Sequence, residues 1–182
     1  MALTANGIQK RQYPLLVVVM GVSGTGKTTL ATEIANTLDM TFIDADSLHS
    51  QAAVQQMSQG IALTDEQRIP WIERICSQLN QFETQGKSCV LAYSGLKRQH
   101  RQLIFSAYHH TCGILLNTDQ AIIEKRLQAR KNHFMSPLLL SSQIAAMEPF
   151  VNEITLLNLS LNKTLENLLL QSVGFINLHY SG

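Results

Sequence analysis

Residues 15–38 constrain this chain more than any other stretch. Leu15-Leu16-Val17-Val18-Val19-Met20 is an unbroken apolar, β-branched run, the pattern of a strand covered on both faces in a parallel sheet. Gly21-Val22-Ser23-Gly24-Thr25-Gly26-Lys27-Thr28 follows at once and meets every fixed position of G-x-x-x-x-G-K-[ST]. Thr29 then leads into Leu30, Ile34 and Leu38 at helical spacing. Strand, glycine-rich turn and helix in that order predict a phosphate-binding loop. Gly21, Gly24 and Gly26 leave room for backbone N–H groups to approach phosphate oxygens, and the helix N-terminus adds partial positive charge. Lys27 can reach the β- and γ-phosphates of a nucleoside triphosphate, and the Thr28 hydroxyl suits Mg²⁺. Residues 21–29 are therefore the expected nucleotide ligands.

The rest of the chain repeats strand and helix. Met40 to Ile43 reads as a second strand ending at Asp44, and Ala52 to Gln59 as a brief helix. Thr64 as N-cap, with Gln67 three residues on, opens a long helix that stops near Gly86; Trp71, Ile75, Leu79 and Phe82 form its apolar stripe. Cys89 to Tyr93 and Cys112 to Leu116 are further strands, each followed by a helix; Thr118-Asp119 caps the later helix, with Ile122, Ile123 and Leu127 inward. Ile154 to Leu161 is the expected last strand and Leu165 to about Val173 the last helix, while residues 174–182 follow no clear pattern. Such alternation predicts an α/β fold, a parallel sheet with helices on both faces. Residues 1–13 read as a loose N-terminal arm and 14–182 as a single domain, with a lid around 130–142.

In parallel sheets ligands bind beyond the carboxyl ends of the strands. After the second strand stand Asp44 and Asp46, one residue apart. Beside a phosphate-binding loop, one carboxylate can support Mg²⁺ and the other can orient an acceptor hydroxyl or take its proton. His49 reads either as a ligand for a polyol or as a loop histidine with a structural partner. Arg68 reads as a substrate ligand or as a solvated helix-start arginine. Lys97, Arg98 and Arg101 follow the third strand, where positive charge suits an anionic substrate or the transferring phosphoryl group. Arg126 and Arg130 lie one helical turn apart. They lead into Lys131-Asn132-His133-Phe134, a pattern suited to a lid that closes over phosphates and excludes water.

Composition narrows the classes. A net charge of +1 over 182 residues gives no electrostatic case for nucleic acid or a membrane surface, and no apolar run reaches membrane-spanning length. Cys76, Cys89 and Cys112 lack metal-ligand spacing. They read as reduced thiols; the two in strand-like runs act as small hydrophobes. With no export signal in the first residues, the expected setting is cytoplasmic. Leu116-Asn117-Thr118-Asp119 lacks the lysine of a guanine-reading segment, which disfavours a switch GTPase.

Taken in order, these motifs resemble the gluconate kinases among small P-loop sugar-acid kinases, from about Leu15 to Val173. The loop at 21–28, Phe42 to His49, Met57 to Trp71, Ser94 to Arg98 with Arg101, Ala129 to Met135, and Gln143 with Met147-Glu148-Pro149 carry the resemblance. Ala45, Ser50, Tyr93, Gly95, His100, Gln102 and Asn132 stand where that family usually has other residues. The resemblance implies a five-stranded parallel sheet of the nucleoside-monophosphate-kinase type with a lid, often as a homodimer. It implies transfer of the γ-phosphoryl of ATP to the terminal hydroxyl of D-gluconate, with Mg²⁺. Lys27, Asp46 and Arg130 would be catalytic, and Arg126 and Arg130 would clamp the nucleotide. Thr28 and Asp44 would serve the metal; Asp44, Asp46, His49, Arg68, Lys97, Arg98 and Arg101 would face the acceptor. A shikimate-kinase-like or other hydroxy-acid kinase of the same fold, and a non-catalytic nucleotide-binding regulator, are the alternatives.

Overall fold

The computed structural model describes residues 12–117, 121–123 and 139–180. Five strands form one sheet: β1 (Leu16–Met20), β2 (Thr41–Asp44), β3 (Cys89–Tyr93), β4 (Thr111–Asn117) and β5 (Thr155–Ser160). Their spatial order is β2-β3-β1-β4-β5, and every pairing is parallel. β1 is central, with Val18 level with Leu91 of β3 and Gly113 of β4. All five of its residues are buried, which explains why the run shows no polar alternation.

The two faces of β1 feed two cores. Val17 and Val19 pack with Leu30, Ile34 and Leu38 of α1 (Lys27–Leu38) and with Leu168 and Ile176 of the last helix, α6 (Leu165–Tyr180). Leu16, Val18 and Met20 face the other way, onto Trp71, Ile72, Ile75 and Leu79 of α3 (Asp65–Thr84) and Ile104 of α4 (Arg98–Phe105). The predicted doubly covered parallel sheet is therefore the fold. Two further helices among the described residues are α2 (Gln51–Ser58) and α5 (Leu139–Ala146), and residues 121–123 are also helical.

Several boundaries have local causes. Thr64 accepts the Gln67 N–H while the Gln67 side chain accepts the Thr64 N–H, so the predicted capping box starts α3. Ser50 accepts the Ala53 N–H and starts α2. The last helix runs to Tyr180 rather than to about Val173. Leu168, Ser172, Ile176 and Tyr180 recur every four residues and face inward or partly inward. Ser172 interrupts the apolar stripe in sequence, yet it is buried and satisfied by the Leu168 carbonyl at 2.7 Å. Residues 139–142, expected in the lid, form the first turn of α5; the remainder of that segment, with Thr118, Asp119 and Leu127, lies outside the described residues. Cys89 and Cys112 are buried in the strands, and burial pushes the Cys89 thiol up.

Candidate active site

The loop after β1 winds on its own backbone. The Val22 carbonyl accepts the Thr25 hydroxyl at 2.9 Å and the Lys27 ammonium at 3.1 Å, and the Gly21 N–H donates to the Ser94 carbonyl beyond β3 at 3.4 Å. α1 begins at Lys27 after Gly26, whose φ of 91° lies in the left-handed region and whose place as N-cap no described side chain shares. Among the described residues nothing lies within 4 Å of where a Gly26 Cβ would stand, so none of them fills the space before the helix N-terminus. An open, uncapped helix start beside a lysine fits a polyphosphate.

Asp44 ends β2, adjacent to β3 in the sheet, and the chain turns through a 3-10 segment, Ala45–Leu48. One Asp44 oxygen accepts the Asp46 N–H at 3.0 Å; the other lies 3.5 Å from the Thr28 hydroxyl. Burial, and then the neighbouring Asp46 charge, raise the Asp44 carboxyl above its ordinary range. A hydroxyl and a partly desolvated carboxylate at that spacing are the oxygen donors a hard divalent cation takes, so the residues present fit Mg²⁺.

α3 holds this turn in place. The Trp71 indole N–H donates to the Ala45 carbonyl at 2.7 Å and Arg74 donates to the Leu48 carbonyl at 2.8 Å. The Trp71 ring stacks on His49, with centroids 4.1 Å apart, and meets Tyr93 at 5.5 Å. His49 is thereby half-buried, its buried Nδ1 without a hydrogen-bond partner among the described residues, and burial, then Arg74 and Arg68, lower its pKa to about 4. Asp46, His49, Arg68, Trp71, Ser94 and Gln143 line one cleft, closed on its apolar side by Met57, Leu63, Leu96 and Leu139.

Known proteins are similar to this chain in sequence and in fold. The AAA domain family matches residues 16–150. The thermosensitive gluconokinase of Escherichia coli is 36% identical over 151 residues, 82% of this chain and 81% of that protein. The gluconokinase of Gluconobacter oxydans is 39% identical over 146 residues, 80% of this chain and 82% of that protein. The chain belongs to the gluconokinase family. The crystal structure of a gluconokinase from Sinorhizobium meliloti superposes with a TM-score of 0.82 at 28% identity, covering 93% of this chain and 95% of that one. This membership favours the sugar-acid reading over the shikimate-kinase-like and non-catalytic ones. Among the described residues no helix is long and apolar enough to cross a membrane.

Within this gluconokinase-family fold the expected site residues divide. Lys27, Thr28, Asp44 and Asp46 come together where β1 and β2 end, and His49 and Arg68 join Asp46 at the cleft. Val22 contributes backbone only, its side chain packing with Leu96, Ile123 and Leu140. Ser23 departs from expectation: its N–H donates to Gln143 Oε1 at 2.7 Å, so backbone donation to a phosphate falls to the residues after it. Lys97 stands one ion pair from the cleft, 3.7 Å from Asp65, which also holds Arg68. Arg98 lies beyond it, near Glu153 at 3.8 Å with its N–H on Glu148.

Arg101 is corrected. It was expected to face the acceptor, but its side chain is 0% exposed. Its guanidinium bonds both Glu153 oxygens, at 2.8 and 2.6 Å, and the carbonyls of Gly95, Leu96, Glu148 and Pro149. The Phe150 ring lies 4.0 Å from its carbon. Every guanidinium N–H direction is committed internally, so Arg101 fastens the segment after β3 to the segment before β5. Arg126 and Arg130 lie outside the described residues. Sequence reasoning placed Trp71 in the core without its bond to Ala45 and left Gln143 without a role; the i, i+3 spacing of Arg68 and Trp71 on α3 was the available signal for the first.

Proposed function

We propose that this chain transfers the γ-phosphoryl group of ATP to the terminal hydroxyl of D-gluconate. The observation that carries the reading is the acidic turn, tied to Thr28 at one end and opening at Asp46 into a cleft with Arg68 and His49. In this reading the amides of residues 24–28 and Lys27 hold the phosphates. Thr28 and Asp44 would hold Mg²⁺, which when bound offsets charge on the β- and γ-phosphates. Asp46 orients the acceptor hydroxyl and takes its proton as oxygen bonds to the γ-phosphorus and the bond to the bridging oxygen breaks. Arg68 pairs with the sugar-acid carboxylate, and neutral His49 forms an uncharged wall of the cleft beside Asp46. Lys97 and Arg98 add positive potential outside the cleft, while Arg126 and Arg130 close over the phosphates. Positioning and charge neutralisation supply most of the acceleration, so a weak base suffices.

The same reading carries a cytoplasmic setting and a homodimer, supported by the family resemblance; light scattering tests the dimer. The direct test is acceptor-dependent ADP release from Mg·ATP, with gluconate, shikimate and other hydroxy acids compared. The expected result is turnover strongest with gluconate. Turnover with another acid alone contradicts gluconate as acceptor, and ATP binding without turnover on any acceptor contradicts the kinase reading.

A further inference from the structure

α5 touches both halves of the reaction. Leu140 packs with Val22 of the nucleotide loop and Leu96 after β3, while Leu139 packs with Met57 and Leu63 on the acceptor side. Between these contacts Gln143 is buried, 8% exposed, and its side-chain oxygen accepts the buried Ser23 N–H at 2.7 Å, across 120 residues of sequence. The same side chain lines the acceptor cleft. The chain beyond α5 is also fixed: the Glu148 N–H donates to the Leu96 carbonyl at 2.8 Å, and its carboxylate accepts the Arg98 N–H at 2.6 Å.

A buried backbone N–H must find an acceptor. Here the acceptor comes from a helix that also forms the wall of the acceptor cleft. One short hydrogen bond therefore fixes the distance between the loop that presents the phosphoryl donor and the surface that presents the hydroxyl. Phosphoryl transfer depends on that distance, because reacting atoms must approach to roughly 3–3.5 Å in line and a 1 Å misplacement costs about 10²-fold.

We propose that Gln143 is a positioning residue that locks the nucleotide loop to the acceptor cleft, setting the alignment of transfer rather than the affinity for either substrate. The proposal rests on the kinase reading and adds to it. It is tested with Gln143→Met, similar in length but without the accepting oxygen, and Gln143→Glu, which keeps one. Four quantities are compared with wild type: the single-turnover transfer rate to gluconate, acceptor-independent ATP hydrolysis, affinity for a non-hydrolysable ATP analogue by calorimetry, and the gluconate KM.

For Gln143→Met, transfer falls by roughly 10–100-fold, a larger factor than any change in hydrolysis, analogue affinity or KM; Gln143→Glu recovers part of the transfer rate. Unchanged transfer in Gln143→Met overturns the proposal. So does a loss of analogue affinity or hydrolysis in the same proportion as transfer, since that marks simple support of the loop. If Gln143→Met does not fold, Gln143→Asn, too short to span the gap, takes its place with the same expected outcome. A wild type silent toward gluconate contradicts the kinase reading before any variant is made. An active wild type with an unaffected variant contradicts only the assignment of Gln143.

Discussion

Asp44 and Asp46, with a single residue between them, have different tasks because their surroundings differ. Asp44 is engaged by the Asp46 N–H and lies beside Thr28, whereas Asp46 opens to the cleft. Asp46→Asn keeps the shape and removes the proton acceptor, so gluconate-dependent turnover falls by roughly 10²–10⁴-fold while affinity for an ATP analogue stays nearly constant. A variant that turns over at the wild-type rate removes Asp46 from the mechanism. His49 gives a pH signature. Its folded pKa is lowered to about 4 from an ordinary 6.5, so as pH falls the unfolded chain takes up the proton first. Its contribution to stability is complete above about 6.5 and is lost as pH falls toward about 4. Denaturation midpoints should therefore move against the wild type, relative to His49→Gln, as pH drops through that window; a difference independent of pH contradicts a neutral buried imidazole. The acidic pair was legible in sequence because two carboxylates leaving a strand beside a phosphate loop have few other uses. The burial of Arg101 was not, since Glu153 and Phe150 lie about fifty residues away and no local pattern announces them.

At the scale of elements, α3 serves both the core and the site. Trp71, Ile75 and Leu79 are core by their spacing, as read from sequence, but the indole N–H also pins the acidic turn through Ala45. Trp71→Phe keeps an aromatic body and leaves that carbonyl without its donor, a loss of about 1–3 kcal/mol. The gluconate KM should rise, with the ATP KM nearly unchanged; the reverse pattern contradicts α3 as support for the acceptor side. The Arg101–Glu153 pair ties α4 to the segment before β5, and both side chains are enclosed. The guanidinium holds the Glu153 carboxyl below its usual range. Glu153→Gln leaves the buried guanidinium without its counter-charge and should cost about 3–5 kcal/mol in urea denaturation; a loss within the error of the measurement contradicts the clamp. Two departures from the family pattern also have local reasons. Tyr93 is accommodated against Trp71. Gly95 has φ of 67° and lies where a Cβ would come within 3.0 Å of Met20, so alanine would be strained there. α5 escaped the sequence reading because Leu139-Leu140-Ser141-Ser142-Gln143 offers less than two turns of pattern and no cap signal.

Across the whole molecule, the strand order β2-β3-β1-β4-β5 brings the carboxyl ends of β1, β2 and β3 side by side. The nucleotide loop, the acidic turn and Ser94 follow those three strands, so topology alone gathers donor and acceptor groups at one edge. This much follows from strand–helix alternation, a pattern carried by every element, and was legible in sequence. What joins the parts is long-range: Gln143 on Ser23, Trp71 on Ala45 and Arg101 on Glu153 each cross between elements. Such contacts leave no periodicity and appear only once the chain is folded. The most direct test of the account is phosphorus NMR of the wild-type protein turning over Mg·ATP with and without D-gluconate. The account predicts that, with gluconate, the γ-phosphoryl resonance is replaced by a phosphomonoester on the terminal carbon of the sugar acid, in step with ADP. Appearance of inorganic phosphate alone, at the same rate with and without gluconate, would contradict it.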